Sequence, residues 1–154
     1  MVAAAIVFIL GQATAQSSAA VTFLTPEQLA AAHSTAPSRQ AGTDAAELVK
    51  QPGYQVLQIR RTAPGGSEVH AEWADIWYVL RGHATLVTGG SMVEGATTEP
   101  GETRGKGVVN GESRELKGGE LVVIPPGVPH WISKIQGEIV YLLVKAPKAL
   151  PVTK

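Results

Sequence analysis

A short β-branched run between turn signals, within residues 119–130, constrains the fold of this chain more than any other segment. Val122 to Ile124 is suited to a buried strand. Pro125 and Gly127 follow as a Pro-x-Gly turn, because proline removes a backbone donor and glycine permits a positive φ. His130 then opens the next segment from a rigid corner, a position that holds a metal ligand or a general base still. The run predicts a strand, a tight turn and a fixed histidine.

A second histidine lies upstream, among acidic residues. His70 comes two positions after Glu68, so the two side chains share one face of a strand. Four residues separate His70 from Asp75, and six separate Asp75 from Gly82. Glu68 and His70 are therefore candidate site residues on one face of a strand.

The two segments together resemble the two motifs of the cupin superfamily. The first family motif runs His-x-His, three or four residues, Glu, six residues, Gly; the second runs Gly, five residues, Pro-x-Gly, two residues, His. In this chain Glu68 stands at the first histidine position, Asp75 at the acidic position and Lys134 at the closing Asn position. The resemblance covers Tyr54 to Lys145. It implies an all-β, single-domain cupin, a jelly-roll β-barrel.

Composition agrees with a turn-rich β domain and argues against one class of partner. The chain has 154 residues with 17 glycines and 10 prolines, which favours a single all-β domain with many turns. Its formal net charge is zero and it has no basic run. Because phosphate binding needs clustered Lys and Arg, we expect no nucleic acid partner.

The first fifteen residues predict a secretory signal peptide. Val2 to Leu10 is wholly apolar, and Ala13-Thr-Ala15 is a small-x-small cleavage signature. The positively charged start of such a signal is missing, since no Lys or Arg precedes Arg39. The apolar run is too short to span a bilayer, so we expect no membrane span in the mature form and a periplasmic or secreted location.

The rest of the chain divides into three parts. Residues 16–45 are predicted as an N-terminal extension, 46–146 as the barrel and 147–154 as a tail. Within the extension, a strand is predicted at Val21 to Leu24, followed by a helix from Pro26 to about His33 that Thr25 and Gln28 cap.

Turn dipeptides predict how the strands of the barrel pair. Tyr54 to Arg61 is a strand that turns Leu57 and Ile59 towards the core. Ala46 to Lys50 is either its hairpin partner across Pro52-Gly53 or a short helix capped by Asp44. A buried strand is predicted at Leu121 to Ile124, and Gly89 to Gly101 is predicted as a mobile loop. Three more hairpins are predicted: 75–80 with 83–88 around Arg81-Gly82, 106–109 with 112–116 around Asn110-Gly111, and 130–135 with 138–145 around Gln136-Gly137.

His70, Asp75, His130 and Glu68 are the candidate metal ligands. Two imidazoles and one carboxylate suit a divalent ion such as Fe, Mn or Zn, and Glu68 as a fourth ligand favours harder ions such as Mn(II). Glu72 is the rival fourth ligand if the strand continues past His70. Glu68 or Glu72 is also the candidate general base. Aromatic residues bracket these positions and either wall a pocket or pack in the core: Trp73, Trp77, Tyr78 and Trp131.

Three functions fit this pattern. The first is a metal-dependent enzyme acting on a small organic molecule, with the dioxygenase-like or isomerase-like chemistry that the resemblance implies. The second is a non-catalytic cupin that binds a sugar or another small molecule without metal. The third is a barrel with only a structural, dimerising role. The resemblance also implies a homodimer formed through outer strands.

Overall fold

The computed structural model describes residues 21–148; the predicted signal peptide and most of the predicted tail lie outside them. The described residues form one helix and twelve strands. They are α1 (Pro26–Thr35), β1 (Ser38–Gln40), β2 (Thr43–Gln51), β3 (Tyr54–Arg61), β4 (Ser67–His70), β5 (Trp73–Thr88), β6 (Ser91–Val93), β7 (Ala96–Glu99), β8 (Glu102–Gly105), β9 (Gly107–Val109), β10 (Glu112–Lys117), β11 (Leu121–Ile124) and β12 (His130–Pro147).

Ten of these strands form one curled antiparallel sheet. Its order is β1-β2-β3-β12-β4-β8-β7, and β5 pairs with β12 on one side and with β10 and β11 on the other. The remaining strands, β6 and β9, pair with each other. The all-β jelly-roll fold expected from the sequence is confirmed.

Strands β5 and β12 pair with each other over almost their full length. Trp73 lies opposite Pro147 and Thr88 opposite His130. The predicted hairpins around Arg81-Gly82 and Gln136-Gly137 are therefore wrong. Each of these segments continues as one long strand, because pairing the two long strands satisfies more backbone groups than two short hairpins would.

The ribbon of β5 and β12 folds back at Gly82. This glycine has φ of +92°, and a side-chain carbon placed on it would lie 2.0 Å from the carbonyl oxygen of Glu138. The register of β12 also shifts between Gln136 and Ile139, opposite this point. A glycine is thus required where the two strands approach and bend.

The core lies inside the curl of the sheet. The rings of Trp77 and Tyr141 stack with centroids 4.7 Å apart, and both side chains are buried. Leu57 and Ile59 are buried beside them, which confirms the face of β3 predicted from the sequence. Other members of this core are Ala45, Val79, Ala84, Leu86, Leu116, Ile124, Ile132, Ile139 and Leu143.

The N-terminal part of the described chain combines a confirmed helix with two corrected segments. Helix α1 begins at Pro26, and the capping box of Thr25 and Gln28 is present. The strand predicted at Val21 to Leu24 is wrong, since this exposed segment has no strand partner. The alternative helix capped by Asp44 is also wrong, because this residue lies in β2. Strand β1 and the first residues of strand β2 lie before residue 46, where the barrel was predicted to begin. The sheet therefore includes part of the predicted N-terminal extension.

The glycine-rich segment is more ordered than the sequence predicted. Residues 89–101, predicted as a loop, contain β6 and β7, and β7 pairs with β8. The chain does turn at Asn110, which has φ of 58°. The hairpin predicted there is nevertheless wrong, because β9 pairs with β6 and β10 pairs with β5.

Within residues 21–148, no helix has the length and apolar character that crossing a bilayer requires.

A pair of glycine substitutions tests the fold-back of the ribbon. Gly82→Ala should lower the free energy of unfolding by about 3 kcal/mol or more, because it adds a backbone clash to the strain of a positive φ. Gly119→Ala is the matched control: Gly119 has φ of +90°, but no atom lies within 4 Å of the added carbon. It should cost only about 1 kcal/mol. Urea unfolding measures both, and equal losses would contradict the requirement for close approach at Gly82.

Candidate metal centre

Strand β4 delivers Glu68 and His70 to the same face, and its neighbours supply their partners. In the register of the sheet, His130 of β12 and Arg104 of β8 lie opposite Glu68 on its two sides. Glu102 of β8 lies opposite His70. One short strand therefore brings two candidate ligands next to a third and to two charged side chains of β8.

Asp75 enters from the start of β5 and is held by two donors. Lys145 lies opposite it on β12, and the ammonium Nζ is 2.9 Å from Asp75 Oδ1. The indole N–H of Trp77 donates a hydrogen bond of 3.3 Å to Oδ2. Asp75 is only 2% exposed, so these contacts replace the water that an ionised carboxylate would otherwise need.

His130 is presented by the turn that the sequence predicted. Gly127 has φ of +81°, and its N–H donates to the carbonyl oxygen of His70 at 2.8 Å. The Nδ1 atom of His130 lies 3.1 Å from the carbonyl oxygen of Val128. A carbonyl oxygen only accepts, so Nδ1 carries the hydrogen and Nε2 of the neutral ring presents a lone pair.

The same arrangement orients His70. Its Nδ1 atom donates to Glu102 Oε2 at 2.6 Å, and this carboxylate also lies 3.4 Å from Arg104 Nη2. Nε2 of His70 therefore points away from Glu102 and into the cluster. An imidazole held by a carboxylate in this way is typical of metal-binding histidines.

The two imidazole Nε2 atoms lie between one oxygen of Glu68 and one oxygen of Asp75. Nε2 of His70 is 3.5 Å from Glu68 Oε2 and 3.6 Å from Asp75 Oδ2. Nε2 of His130 is 4.0 Å and 3.7 Å from the same two oxygens. Both Nε2 atoms are buried and make no hydrogen bond within the described residues. Glu68, His70 and His130 form a group that can hold a metal ion.

Each carboxylate of the cluster is shared between a cation and the two imidazoles. Arg61 and Arg104 pair with Oε1 of Glu68, while Oε2 faces the histidines. Burial works against ionisation of Glu68, but His70 and the two arginines outweigh it and lower the pKa of this carboxyl to about 2. Glu68 is therefore ionised over the whole physiological range.

The two histidines differ in charge. Burial disfavours the charged form of His70, but Asp75 and Glu68 outweigh it and raise the pKa of His70 to about 9. Burial lowers the pKa of His130 below its ordinary value. The pKa of Asp75 is also lowered, because the contacts with His70 and Lys145 outweigh the effect of burial. At neutral pH the metal-free cluster therefore contains a cationic His70, protonated on both ring nitrogens, and a neutral His130 whose single ring hydrogen is on Nδ1.

A cavity of about 450 Å³ adjoins the cluster, within the range of small-molecule sites. The carboxylate residues Glu68 and Asp75 line it, as do Trp77 and Tyr141. Its other lining residues are Arg39, Gln40, Thr43, Ala45, Leu57, Ile59, Arg61, Gly66, Ser67, Arg104 and Leu143.

Solved structures with the same fold come from several bacteria. KdgF from a Halomonas species matches with a TM-score of 0.55 and 16% identity over 74% of this chain and 88% of that chain. A Klebsiella pneumoniae protein with a double-stranded β-helix domain matches with a TM-score of 0.53 and 17% identity over 75% and 86%. Streptomyces Pac13, a nucleoside dehydratase, matches with a TM-score of 0.51 and 15% identity over 73% and 76%.

The fold is that of a cupin. At these identities the likeness concerns the fold alone. No protein-family model matches the sequence, and no curated protein matches it at a significant level.

The protein brings together four of the five site residues expected from the sequence. Glu68, His70, Asp75 and His130 converge, whereas Glu72 does not. Strand β4 ends at His70, and the side chain of Glu72 is exposed. The strand thus does not continue past His70, which was the condition for Glu72 to share the face of Glu68 and His70.

The charged side chains around the four residues were missed. Glu102 contacts His70 and Lys145 contacts Asp75 from strands that are 32 and 70 residues away in the sequence. Arg61, at the end of the preceding strand β3, contacts Glu68. The cross-strand register that makes them neighbours carries no local sequence signal. Of the aromatic residues, Trp77 lines the cavity, while the indole N–H of Trp131 donates to the carbonyl oxygen of Gly65.

The raised pKa of His70 sets a pH dependence for the metal-free protein. The folded-state pKa of about 9 exceeds the ordinary value of 6.5, so this stabilisation is fully present below pH 6.5 and is lost as pH rises through 9. The free energy of unfolding should fall by on the order of 2 kcal/mol between about pH 6.5 and 9.5. Urea unfolding with a chelator present measures it.

Two histidine variants show which residue is responsible. His70→Gln should flatten this part of the pH profile, whereas His83→Gln, which changes an exposed histidine outside the cluster, should leave it unchanged. A profile of His70→Gln as steep as that of the wild type would contradict the assignment.

Proposed function

We propose that this cupin binds one divalent ion, Mn, Fe or Zn, at Glu68, His70, Asp75 and His130, and acts as a metal-dependent enzyme on a small organic molecule. The observation that carries the proposal is the pair of buried Nε2 atoms. They lack hydrogen bonds within the described residues and face one oxygen each of Glu68 and Asp75. Buried polar atoms without a partner are uncommon unless a ligand completes them.

Glu68, His70 and His130 fit a divalent ion in chemistry and spacing, and Asp75 lies beside the two histidines as a further carboxylate. Atoms bound to one ion at about 2.0–2.2 Å lie roughly 3–4 Å apart, and the contacts within the cluster are 3.5 to 4.0 Å. Two imidazoles suit Fe, Mn and Zn, and two carboxylates favour the harder ions among them.

The surrounding residues suit chemistry on a small substrate. A divalent ion would supply Lewis acidity or activate water or dioxygen. Glu68 lies on the cavity wall in its ionised form and can accept a hydrogen bond from a substrate there. Arg61 donates to the hydroxyl oxygen of Tyr141, leaving the phenol hydrogen to donate towards a substrate. Both isomerase-like and dioxygenase-like reactions fit, and oxygen uptake during turnover separates them.

One observation favours the second function, a cupin that binds a small molecule without metal. Lys145 pairs with Asp75, and Arg104 and Arg61 pair with Glu68. With His70 protonated, the cluster compensates its own charges without any ion. The two functions differ in metal content, which decides between them.

Location and assembly remain proposals that rest on the sequence. Export to the periplasm or the medium follows from the signal-like residues 1–15, and a homodimer follows from the cupin resemblance. Identification of the mature N-terminus in the native host, and light scattering of the purified protein, test the two proposals.

Metal content tests the proposal directly. Protein purified without a metal-affinity tag and reloaded should retain about one equivalent of Mn, Fe or Zn, and His130→Ala should lose it because one of the ligands is removed. Glu72→Ala is the matched control, since its carboxylate is exposed and outside the cluster. It should keep the metal. An absence of metal from the reloaded wild type would favour the non-catalytic binder.

Glu102 offers a second test of the centre. If this carboxylate orients His70, Glu102→Ala should weaken metal binding by about 10–100-fold. Glu102→Gln should retain most of the affinity, because its amide oxygen still accepts from Nδ1. Competition with a coloured chelator measures both, and unchanged affinity in Glu102→Ala would contradict the orienting role.

A further inference from the structure

We propose that the N-terminal arm, Val21–Leu24, binds a second copy of this chain along the free edge of strand β11. In a two-fold dimer each copy lends its arm to the other, so the contact is reciprocal. This contact rests on the homodimer proposed above and assigns it to one segment and one sheet edge. It is independent of the metal centre.

The exposed apolar side chains of the protein fall mainly into two groups. Among residues 21–148, nine large hydrophobic residues are exposed. Three of them belong to the arm, where Phe23 is 83% exposed. Four more form one patch on β5 and β11, called the β11 patch here: Tyr78, Leu80, Leu121 and Val123. Because soluble monomers rarely expose large contiguous apolar patches, this concentration indicates a binding surface.

Strand β11 is also an unprotected edge of the main sheet. The edge strands of this sheet, within the described residues, are β1, β7, β10 and β11. Arg39 lies on β1, Glu99 on β7 and several charged residues on β10, whereas Leu121–Ile124 of β11 includes no charge. Natural proteins protect sheet edges with charged side chains, and an exposed apolar edge is a template for pairing with another chain.

A groove between β10 and β11 suits the aromatic ring of the arm. Its volume is about 200 Å³, and Leu116, Val122 and Val128 are among the residues that line it. An apolar cavity of about 150 Å³ is enough to hold benzene. Neighbouring side chains of an extended segment point to opposite sides, so placing Phe23 in the groove turns Leu24 towards the β11 patch.

The single chain leaves both sides of this contact exposed. Helix α1 follows the arm and lies against β2 and β3, and Nε2 of His33 is 3.0 Å from Nη2 of Arg81. The arm therefore begins at a docked helix, yet Val21 and Phe23 are exposed. Neither the arm nor β11 carries a charge. A second copy thus covers both apolar surfaces at once without burying an ion.

Sedimentation velocity of the mature protein over a range of concentrations tests this contact. The wild type should dimerise, and Phe23→Ser should weaken dimerisation by about 100-fold or more, because each dimer loses two buried rings. Tyr54→Ser is the matched control, since Tyr54 is exposed but lies outside the arm and the β11 patch. It should dimerise as the wild type does. A monomeric wild type, or normal dimerisation of Phe23→Ser, would overturn the assignment.

Val123→Asp tests the other side of the contact. A charge on the edge of β11 should prevent the arm from binding, as charges do on natural edge strands. Val109→Asp changes an exposed valine of β9 outside the patch and should leave dimerisation intact. Both positions are exposed, so both variants should fold. An equal effect of the two substitutions would count against β11 as the binding edge.

Disulfide trapping shows which copy supplies the arm, because the chain has no cysteine of its own. Oxidation of a mixture of Thr22→Cys and Val123→Cys proteins should link one copy of each. A mixture of Thr22→Cys with Val109→Cys is the control and should give little linked product. With Thr22→Cys and Val123→Cys in one chain, linked dimers should form. An internally linked monomer would show that the arm binds its own β11 and would overturn the assignment.

These results also distinguish the arm contact from the earlier proposals. If Phe23→Ser and Val123→Asp both dimerise normally, the homodimer stands and the arm contact is wrong. If the wild type is monomeric, both are wrong. The metal content of Phe23→Ser should equal that of the wild type in either case, since Phe23 lies outside the metal cluster.

Discussion

The site depends on one constraint above all, the folding back of the long β5–β12 ribbon. Asp75 and His130 belong to different strands of this ribbon, and His130 pairs with Thr88, thirteen positions along β5 from Asp75. In a straight ribbon they would lie roughly 40 Å apart. In the protein, Nε2 of His130 is 3.7 Å from Asp75 Oδ2. The bend at Gly82 and the irregular register opposite it are therefore what allow a centre to exist.

Charge compensation is the second requirement, because burying two carboxylates without partners is costly. Each acid places one oxygen on cations and the other on the histidine pair. For Glu68 the cations are Arg61 and Arg104, and for Asp75 the cation is Lys145. This division keeps the inner oxygens directed at the imidazoles. A divalent ion binding there would take the place of the proton on His70, which raises the net charge of the cluster by only one.

The strands that line the cavity explain why a cupin fold says little about substrate. The barrel supplies the cluster, but the residues at the cavity wall come from different sources. Arg39 lies on β1, ahead of the region that carries the cupin-like motifs, and Arg104 lies on β8 in the glycine-rich segment. Strand β1 is at the edge of the sheet, so its side chains can vary with little effect on the core, which is one way in which a single fold hosts many reactions.

Sequence alone determined the features that depend on near neighbours. The capped helix at Pro26, the Pro-x-Gly turn before His130 and the shared face of Glu68 and His70 each follow from residues within a few positions of one another. Tertiary structure decided the rest. The segments on either side of Gly82 and of Gly137 have the local sequence pattern of a hairpin. Each pair of segments instead continues as one long strand, because its partner strand lies about sixty residues away in sequence. The contacts of Lys145 with Asp75 and Glu102 with His70 likewise exist only through strand register, a long-range choice that local propensity does not encode.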